Sequence, residues 1–347
     1  MRCVSPLKGW KNSETGGIQF RADGAREKME VACGQCISCR LNGACMWAVR
    51  IVHESSLHET TGGNCFVTLT YRDPRECDAD QLRNGHHIPL DWSLHKKHWQ
   101  DFMKRLRKFF APQKIRFFMC GEYGHRCKHS IDLDSVGCPL CRCGRPHYHA
   151  ILFNCSFPDL ESYGSHNGEL RYTSPSLERI WQYGFVDVGA VTPESAAYVA
   201  RYSLKKRTGV LADDHYMSYD LDGVITFITP EFCLMSRGHT CKEHRGMPYQ
   251  RDCDKCSRGI GHDWYLDYSG DVFPADETPV VGKSPVKMVP RYYEELFKIS
   301  DPLTLEEIKA VRRKFHEAHA DDYSPERLLD AYKVQKANLE LFQKRRL

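Results

Sequence analysis

Arg145-Pro146-His147-Tyr148-His149-Ala150-Ile151-Leu152-Phe153 is the stretch from which the rest of the chain can be read. Its apolar end marks a buried strand from His147 to Asn154. Side chains alternate along a strand, so His147 and His149 point to one face about 7 Å apart. Two imidazoles placed this way can hold one divalent metal. The preceding apolar run, Ile115 to Tyr123, reads as a second strand and ends Cys120-Gly121-Glu122-Tyr123-Gly124. If the two strands pair as an antiparallel hairpin, Glu122 lies beside the histidines. Such a set leaves coordination positions open for water or a phosphate oxygen. Harder oxygen chemistry favours magnesium or manganese, and the same ligands also fit catalytic zinc.

Outward from this hairpin, Cys65-Phe-Val-Thr-Leu-Thr-Tyr71 is a further strand and Phe185 to Val191 another. Leu41 to about His58 has helical spacing, as has Ser93 to Phe110, whose stripe of Trp99, Phe102, Met103 and Leu106 is backed by basic residues. Ser174-Pro175 opens a short helix through Tyr183, and Pro193 to about Lys206 is another. The order strand, helix, strand, strand, helix, strand, helix predicts an α+β fold, an antiparallel sheet with helices on one side. It excludes a doubly wound parallel sheet, which needs strict alternation. Met1 to Met29 reads as a polar arm and Gly259 to Pro290 as mostly loop. Val224 to Ile228 is a weak strand, and the tail is helical from Leu303 to about Ala318 and again from Ser324 towards Arg345. Val281-Gly282-Lys283-Ser284 is not a phosphate loop, because Glu277 replaces the first glycine and Pro285 follows; no ATP binding is expected.

The chain has 347 residues, 41% apolar and 27% charged, with a net charge of +4, which permits nucleic-acid binding without demanding it. No apolar run of about 18 residues occurs, so no membrane span is expected. The N-terminus has no signal-peptide pattern, which places the chain in a reducing cytoplasm. There, 17 cysteines point to metal rather than disulfides. Two insertions share the spacing His, eight residues, Cys, two residues, Cys. One supplies Cys127, His129, Cys138 and Cys141, with Cys143 or His125 as substitutes for His129, and the other Cys241, His244, Cys253 and Cys256. Both read as structural zinc sites. Cys33, Cys36 and Cys39 form a third cluster, with Cys3 as a possible fourth ligand. Cys65, Cys120, Cys155 and Cys233 sit in apolar stretches and are expected in the core.

Tyr198 and Tyr202 lie at i and i+4, on one helical face, with Lys205 close behind. A lysine near a phenol favours the phenolate or neutralises a phosphate. A DNA track is expected on Lys96, Lys97, Lys104, Arg105 and Lys108, joined by Arg201 and Lys206.

Phe66-Val67-Thr68-Leu69-Thr70-Tyr71, then Gly121-Glu122 with Pro146-His147-Tyr148-His149, then Tyr198-x-x-x-Tyr202-x-x-Lys205 resemble the three ordered motifs of HUH endonucleases. With Cys33-Gly34-Gln35-Cys36-Ile37-Ser38-Cys39-Arg40 and Arg258-Gly259-Ile260-Gly261, the chain is similar to replication initiators of Microviridae phages, the gokushovirus branch above all. The resemblance implies an RRM-like core with the metal on one sheet face and the tyrosine helix above it. It makes His147, His149 and Glu122 the catalytic ligands, and Tyr202, then Tyr198, the nucleophiles. It implies origin and single-stranded DNA as substrate, a 5′-phosphotyrosine link, a 3′-hydroxyl for a host polymerase, a host helicase as partner and the bacterial host's cytoplasm as location. The expected organisation is an arm over 1–60 and a catalytic core over 61–208 with its insertion at 125–144. An extension follows over 209–300, with an insertion at 239–257, and a helical tail over 301–347. Two other classes compete: a non-catalytic zinc protein that binds nucleic acid, and a metal-dependent hydrolase using water.

Overall fold

The computed structural model describes residues 3–12, 17–21, 27–124, 127, 143–166, 168–202, 206, 210–219, 223–245, 253 and 256–344. A three-stranded sheet comes first, from β1 (Leu7–Lys11), β2 (Ile18–Gln19) and β3 (Glu27–Val31). Then follow α1 (Ile37–Ser56), β4 (Asn64–Tyr71), α2 (Ala79–Arg83), α3 (Lys96–Phe109), β5 (Arg116–Tyr123) and β6 (Pro146–Phe153). The hairpin β7 (Glu161–His166) and β8 (Glu169–Thr173) leads to α4 (Pro175–Trp181), β9 (Gly184–Gly189) and α5 (Pro193–Arg201). Beyond lie α6 (Val210–Tyr216), β10 (Met217–Tyr219), β11 (Ile225–Phe227), β12 (Phe232–Met235), α7 (His262–Val272), β13 (Thr278–Val280) and β14 (Lys283–Val286). The chain ends in α8 (Arg291–Ser300), α9 (Pro302–Ala318) and α10 (Pro325–Lys344).

The centre is an antiparallel sheet of seven strands in the order β12-β5-β6-β4-β9-β8-β7. The expected α+β class and the β5–β6 hairpin are both present. The helices, however, cover both faces rather than one. On the first face α3 and α4 bury Trp99, Phe102, Leu106, Leu177 and Trp181 against Leu69, Met119, Tyr148 and Leu152. On the second, α1 and α5 bury Ala44, Ile51, Ala196, Val199 and Ala200 against Phe66, Phe118, Ile151 and Phe153. The central strands are therefore largely apolar on both sides, with the polar Thr68, His147 and His149 on the second face.

Two further expectations change. The polar arm carries β1 to β3, whose ladder aligns Leu7 with Val31 and Trp10 with Lys28. Gly259 to Pro290 holds α7 and the β13–β14 hairpin rather than loop. Gly282, at φ +71°, lies between those two strands, so the lysine-serine pair after it enters β14 and not a helix. Among the described residues, no helix is long and apolar enough to cross a membrane.

A third core joins α7, α8 and α9 to the end of α1. Its centre is His53, whose ring stacks on Trp264 at 3.4 Å. His53 Nε2 donates to the Pro279 carbonyl at 2.8 Å, and Nδ1 accepts from the Tyr293 hydroxyl at 2.9 Å. Burial pushes its pKa down to about 4, against the smaller opposing pull of the Pro279 bond. The unfolded chain takes up this proton near pH 6.5 and the folded chain only near 4, so the stabilisation is complete above 6.5 and is lost as pH falls through that window. Burial holds His98 and His262 down to about 4 in the same way. Stability is expected to fall steeply between pH 6.5 and 4, His53 alone accounting for about 3 kcal/mol. Urea midpoints across this range check it: His53→Phe should flatten the slope by about one proton, and an unchanged slope would contradict the assignment.

Candidate active site

The β5–β6 ladder sets Glu122 opposite His147 and Cys120 opposite His149. On the other side of β6, β4 sets Thr70 opposite His147 and Thr68 opposite His149. Glu122, His147, His149 and Thr68 thus share the sheet face that α5 covers. Glu122 Oε1 lies 2.6 Å from His147 Nε2 and 3.0 Å from His149 Nε2. The other ring nitrogens are held from behind: His147 Nδ1 donates to the Arg145 carbonyl at 3.2 Å, and His149 Nδ1 bonds the Thr68 hydroxyl at 2.9 Å. With its proton on Nδ1, His147 turns the Nε2 lone pair towards a carboxylate oxygen. Two lone pairs at that separation need a cation between them, a second proton or a metal ion. Burial alone would raise the Glu122 pKa, but the charge and hydrogen bond of His147, with His149, hold it well below the usual carboxylate range. The three donor atoms lie within 4.8 Å of one another, so the donor set fits a divalent ion.

Helix α5 supplies the other half of the site. The Thr192 hydroxyl accepts from the Ser195 backbone N–H at 3.2 Å, and Pro193 occupies the first turn. The helix ends after Arg201, so Tyr202 is its C-cap rather than an interior residue. Both tyrosines still reach His149. The Tyr202 ring stacks on it with centroids 4.9 Å apart, and Tyr198 meets it edge-on at 5.3 Å. The two phenols are themselves 4.6 Å apart. Burial, the Glu122 charge and Tyr198 push the pKa of Tyr202 far above its ordinary value. A cation that offsets the Glu122 charge would relieve part of that penalty. Lys205 lies outside the described residues. Lys206 is exposed, and its carbonyl accepts from Arg40 Nη2 at 3.0 Å.

The basic helix is not beside this centre. α3 packs on the opposite sheet face, and its cations have local work. Lys96 sits over the Phe232 ring, and Lys97 and Lys104 both pair with Asp101. Arg105 donates to the Ile180 and Trp181 carbonyls at 2.7 and 3.2 Å, closing the end of α4; Lys108 is exposed. Of the expected DNA residues, only Arg201 and Lys206 belong to the site's side of the sheet. Sequence reading missed the half of that face that no described helix covers. Phe185, opposite Thr70, is 45% exposed, and Tyr163 is 61% exposed. Arg72 lies over the Phe185 ring at 5.1 Å, and Arg171 bonds Asp187, which also accepts from the Tyr163 hydroxyl. Asp187 between the apolar Val186 and Val188 was the available signal.

Two cysteine clusters are assembled: Cys3 with Cys33, Cys36 and Cys39, and Cys241 with His244, Cys253 and Cys256, each with its donor atoms within 4.8 Å. Either can hold a metal. Cys127 is buried, while its expected partners His129, Cys138 and Cys141 lie outside the described residues. Cys65, Cys120 and Cys155 are buried, and Cys233 is half-buried.

The family of replication-associated proteins of the ORF2 type matches residues 64–131 and 137–207. Replication-associated protein VP4 of Bdellovibrio phage phiMH2K is 27% identical over 306 residues, 87% of this chain and 79% of the relative. Replication-associated protein ORF2 of Spiroplasma virus 4 is 26% identical over 334 residues, 90% and 86% of the two chains. Replication-associated protein ORF4 of Chlamydia phage 1 is 33% identical over 182 residues, 50% of this chain and 38% of the relative. No solved structure matches. The family match runs from β4 through the tyrosine helix α5, the segment that builds the site, and over most of its length the chain is similar to phage replication-associated proteins.

Proposed function

We propose that the protein initiates rolling-circle replication by nicking and rejoining single-stranded origin DNA with tyrosine. The observation that carries this reading is the packing of both Tyr198 and Tyr202 on His149, itself one of three converging metal-type donors. A hydrolase that activates water has no use for two phenols in that place. The Tyr202 oxygen attacks the scissile phosphorus, the bond to the 3′ oxygen breaks, and the proton lost by the phenol ends on that oxygen. The products are a tyrosine ester of the 5′ phosphate and a free 3′-hydroxyl. Glu122, His147 and His149 would hold magnesium or manganese, which polarises the phosphate and offsets developing charge. Thr68 and the Arg145 carbonyl keep both rings in register. Lys205, by sequence spacing, would neutralise the phosphate.

The single strand would approach over the half of the same face that no described helix covers. Phe185 and Tyr163 offer rings for unpaired bases, with Arg72, Arg201 and Lys206 for phosphates. Incubation with circular single-stranded DNA carrying the origin, plus manganese, should yield a denaturant-stable protein–DNA adduct. Binding without any adduct would favour a non-catalytic zinc protein.

Cys241, His244, Cys253 and Cys256 would bind one structural zinc. Cys241 Sγ lies 3.8 Å from Cys253 Sγ and 3.3 Å from His244 Nδ1, spacings that suit a tetrahedral ion. Cys127, His129, Cys138 and Cys141 would bind a second. Elemental analysis is expected to find at least two zinc per chain, with one lost in the Cys241→Ser/Cys253→Ser variant; a metal-free chain would refute both sites.

A further inference from the structure

We propose that Cys3, Cys33, Cys36 and Cys39 bind one further zinc ion as four thiolates, and that this centre positions the tyrosine helix. The second half rests on the reading of α5 given above; the first does not.

The sulfurs of Cys3 and Cys33 are 3.6 Å apart, and those of Cys3 and Cys36 are 3.8 Å apart. A disulfide would hold them at about 2.05 Å. Two sulfurs at about 2.3 Å from one tetrahedral ion stand about 3.8 Å apart. The backbone N–H of Cys33 donates to Cys3 Sγ at 3.3 Å, and that of Cys36 to Cys33 Sγ at 3.2 Å. Such donors stabilise thiolates. Gly34, at φ +71°, makes the turn that lets Cys33 and Cys36 face one point. Four soft sulfur donors select zinc over the magnesium or manganese that suits the Glu122 site, so the two centres load independently.

Cys3 precedes β1, whereas the other three ligands follow β3 and open α1, with Cys36 as its N-cap. The same helical turn makes two more links. Ser38 Oγ donates to Gln335 Oε1 of α10 at 2.5 Å, and Arg40 holds the Lys206 carbonyl, four residues past Tyr202. Further along, α1 packs on α5 through Ala44, Ala196, Val199 and Ala200. Without the ion, four sulfurs in this space repel once ionised, and the first turn of α1 loses its anchor.

The test uses the full chain. Cys33→Ser/Cys36→Ser is expected to carry one zinc fewer than the parent by elemental analysis. Cobalt-loaded parent protein should show thiolate charge-transfer absorption that weakens in the variant. Hydrogen exchange over residues 193–202 should quicken at least about tenfold, and adduct formation at saturating manganese should drop by a similar factor. Arg40→Ala should keep its zinc yet quicken the same exchange. If the double variant fails to fold, Cys3→His, which keeps four ligands, should retain the zinc that Cys3→Ser loses. An unchanged zinc count in the serine variants overturns the site. Zinc loss with unchanged exchange over 193–202 overturns the positioning role. Both readouts need no DNA, so they stand apart from the fate of the nicking proposal.

Discussion

Replacing Tyr198 and Tyr202 together with phenylalanine is expected to abolish the covalent protein–DNA product while leaving a folded, DNA-binding protein. Each change removes one hydroxyl and keeps the ring, so the contacts on His149 and Phe66 persist. The stability cost is on the order of 1 kcal/mol for each. Tyr202→Phe alone should slow the first nick roughly a hundredfold or more, with Tyr198 supplying the residual attack. Tyr198→Phe should nick but close unit-length circles poorly. Rolling-circle synthesis needs a second transesterification while the first tyrosine is still esterified, and Tyr198 is the phenol beside it. Denaturing gels of labelled DNA read both steps. If the double variant still becomes covalently attached to DNA, the tyrosines are packing residues and the proposed function is wrong.

His147→Ala is the second change with a large expected effect. It removes one of the donors around Glu122 and should lower nicking at least about a thousandfold, since metal polarisation of a phosphate is worth several kcal/mol. DNA affinity should change little, because phosphate contacts are spread over many cations. His149→Ala should be equally inactive but less clean, because both tyrosine rings pack against His149. Manganese titration of wild type should restore activity after chelation; nicking by the His147→Ala/His149→Ala variant in chelator would overturn the metal site.

The histidine strand was legible because a period of two leaves no choice about which residues share a face. Its pairing with the Glu122 strand was legible as a hairpin. The register was not, because residues 125–144 separate the two strands and loop length sets no register over such a span. Only the eight-residue ladder shows that Glu122 faces His147. The tyrosine face could be read from helical spacing, although the helix stops at Arg201. Amphipathic spacing likewise found α3, but a helical stripe cannot say which face of a sheet it will cover, and α3 packs on the face opposite Glu122 and the histidines. The four-residue edge strand β12 is too short for alternation to show. In α7, Gly270 and three aspartates dilute the helical pattern, so Asp263 to Val272 looked like loop. Thr68 stood inside a quoted motif without a role, since only the β4–β6 register brings it to His149.

The β5–β6 ladder closes tightly: Gly124 donates to the Arg145 carbonyl at 2.9 Å, and Gly144 donates to Gly124 at 3.1 Å. The chain between these two glycines comes after the last rung, so its length is nearly free. Doubling such a loop costs only about 0.6 kcal/mol in closure entropy. The end of this hairpin is therefore a port where inserts of different length can be accommodated, one rung beyond the Glu122–His147 pair. A lineage could trade its cysteine-rich insert for a two-residue turn, or an engineer could graft a DNA-targeting domain there, and the carboxylate and imidazoles would keep their alignment.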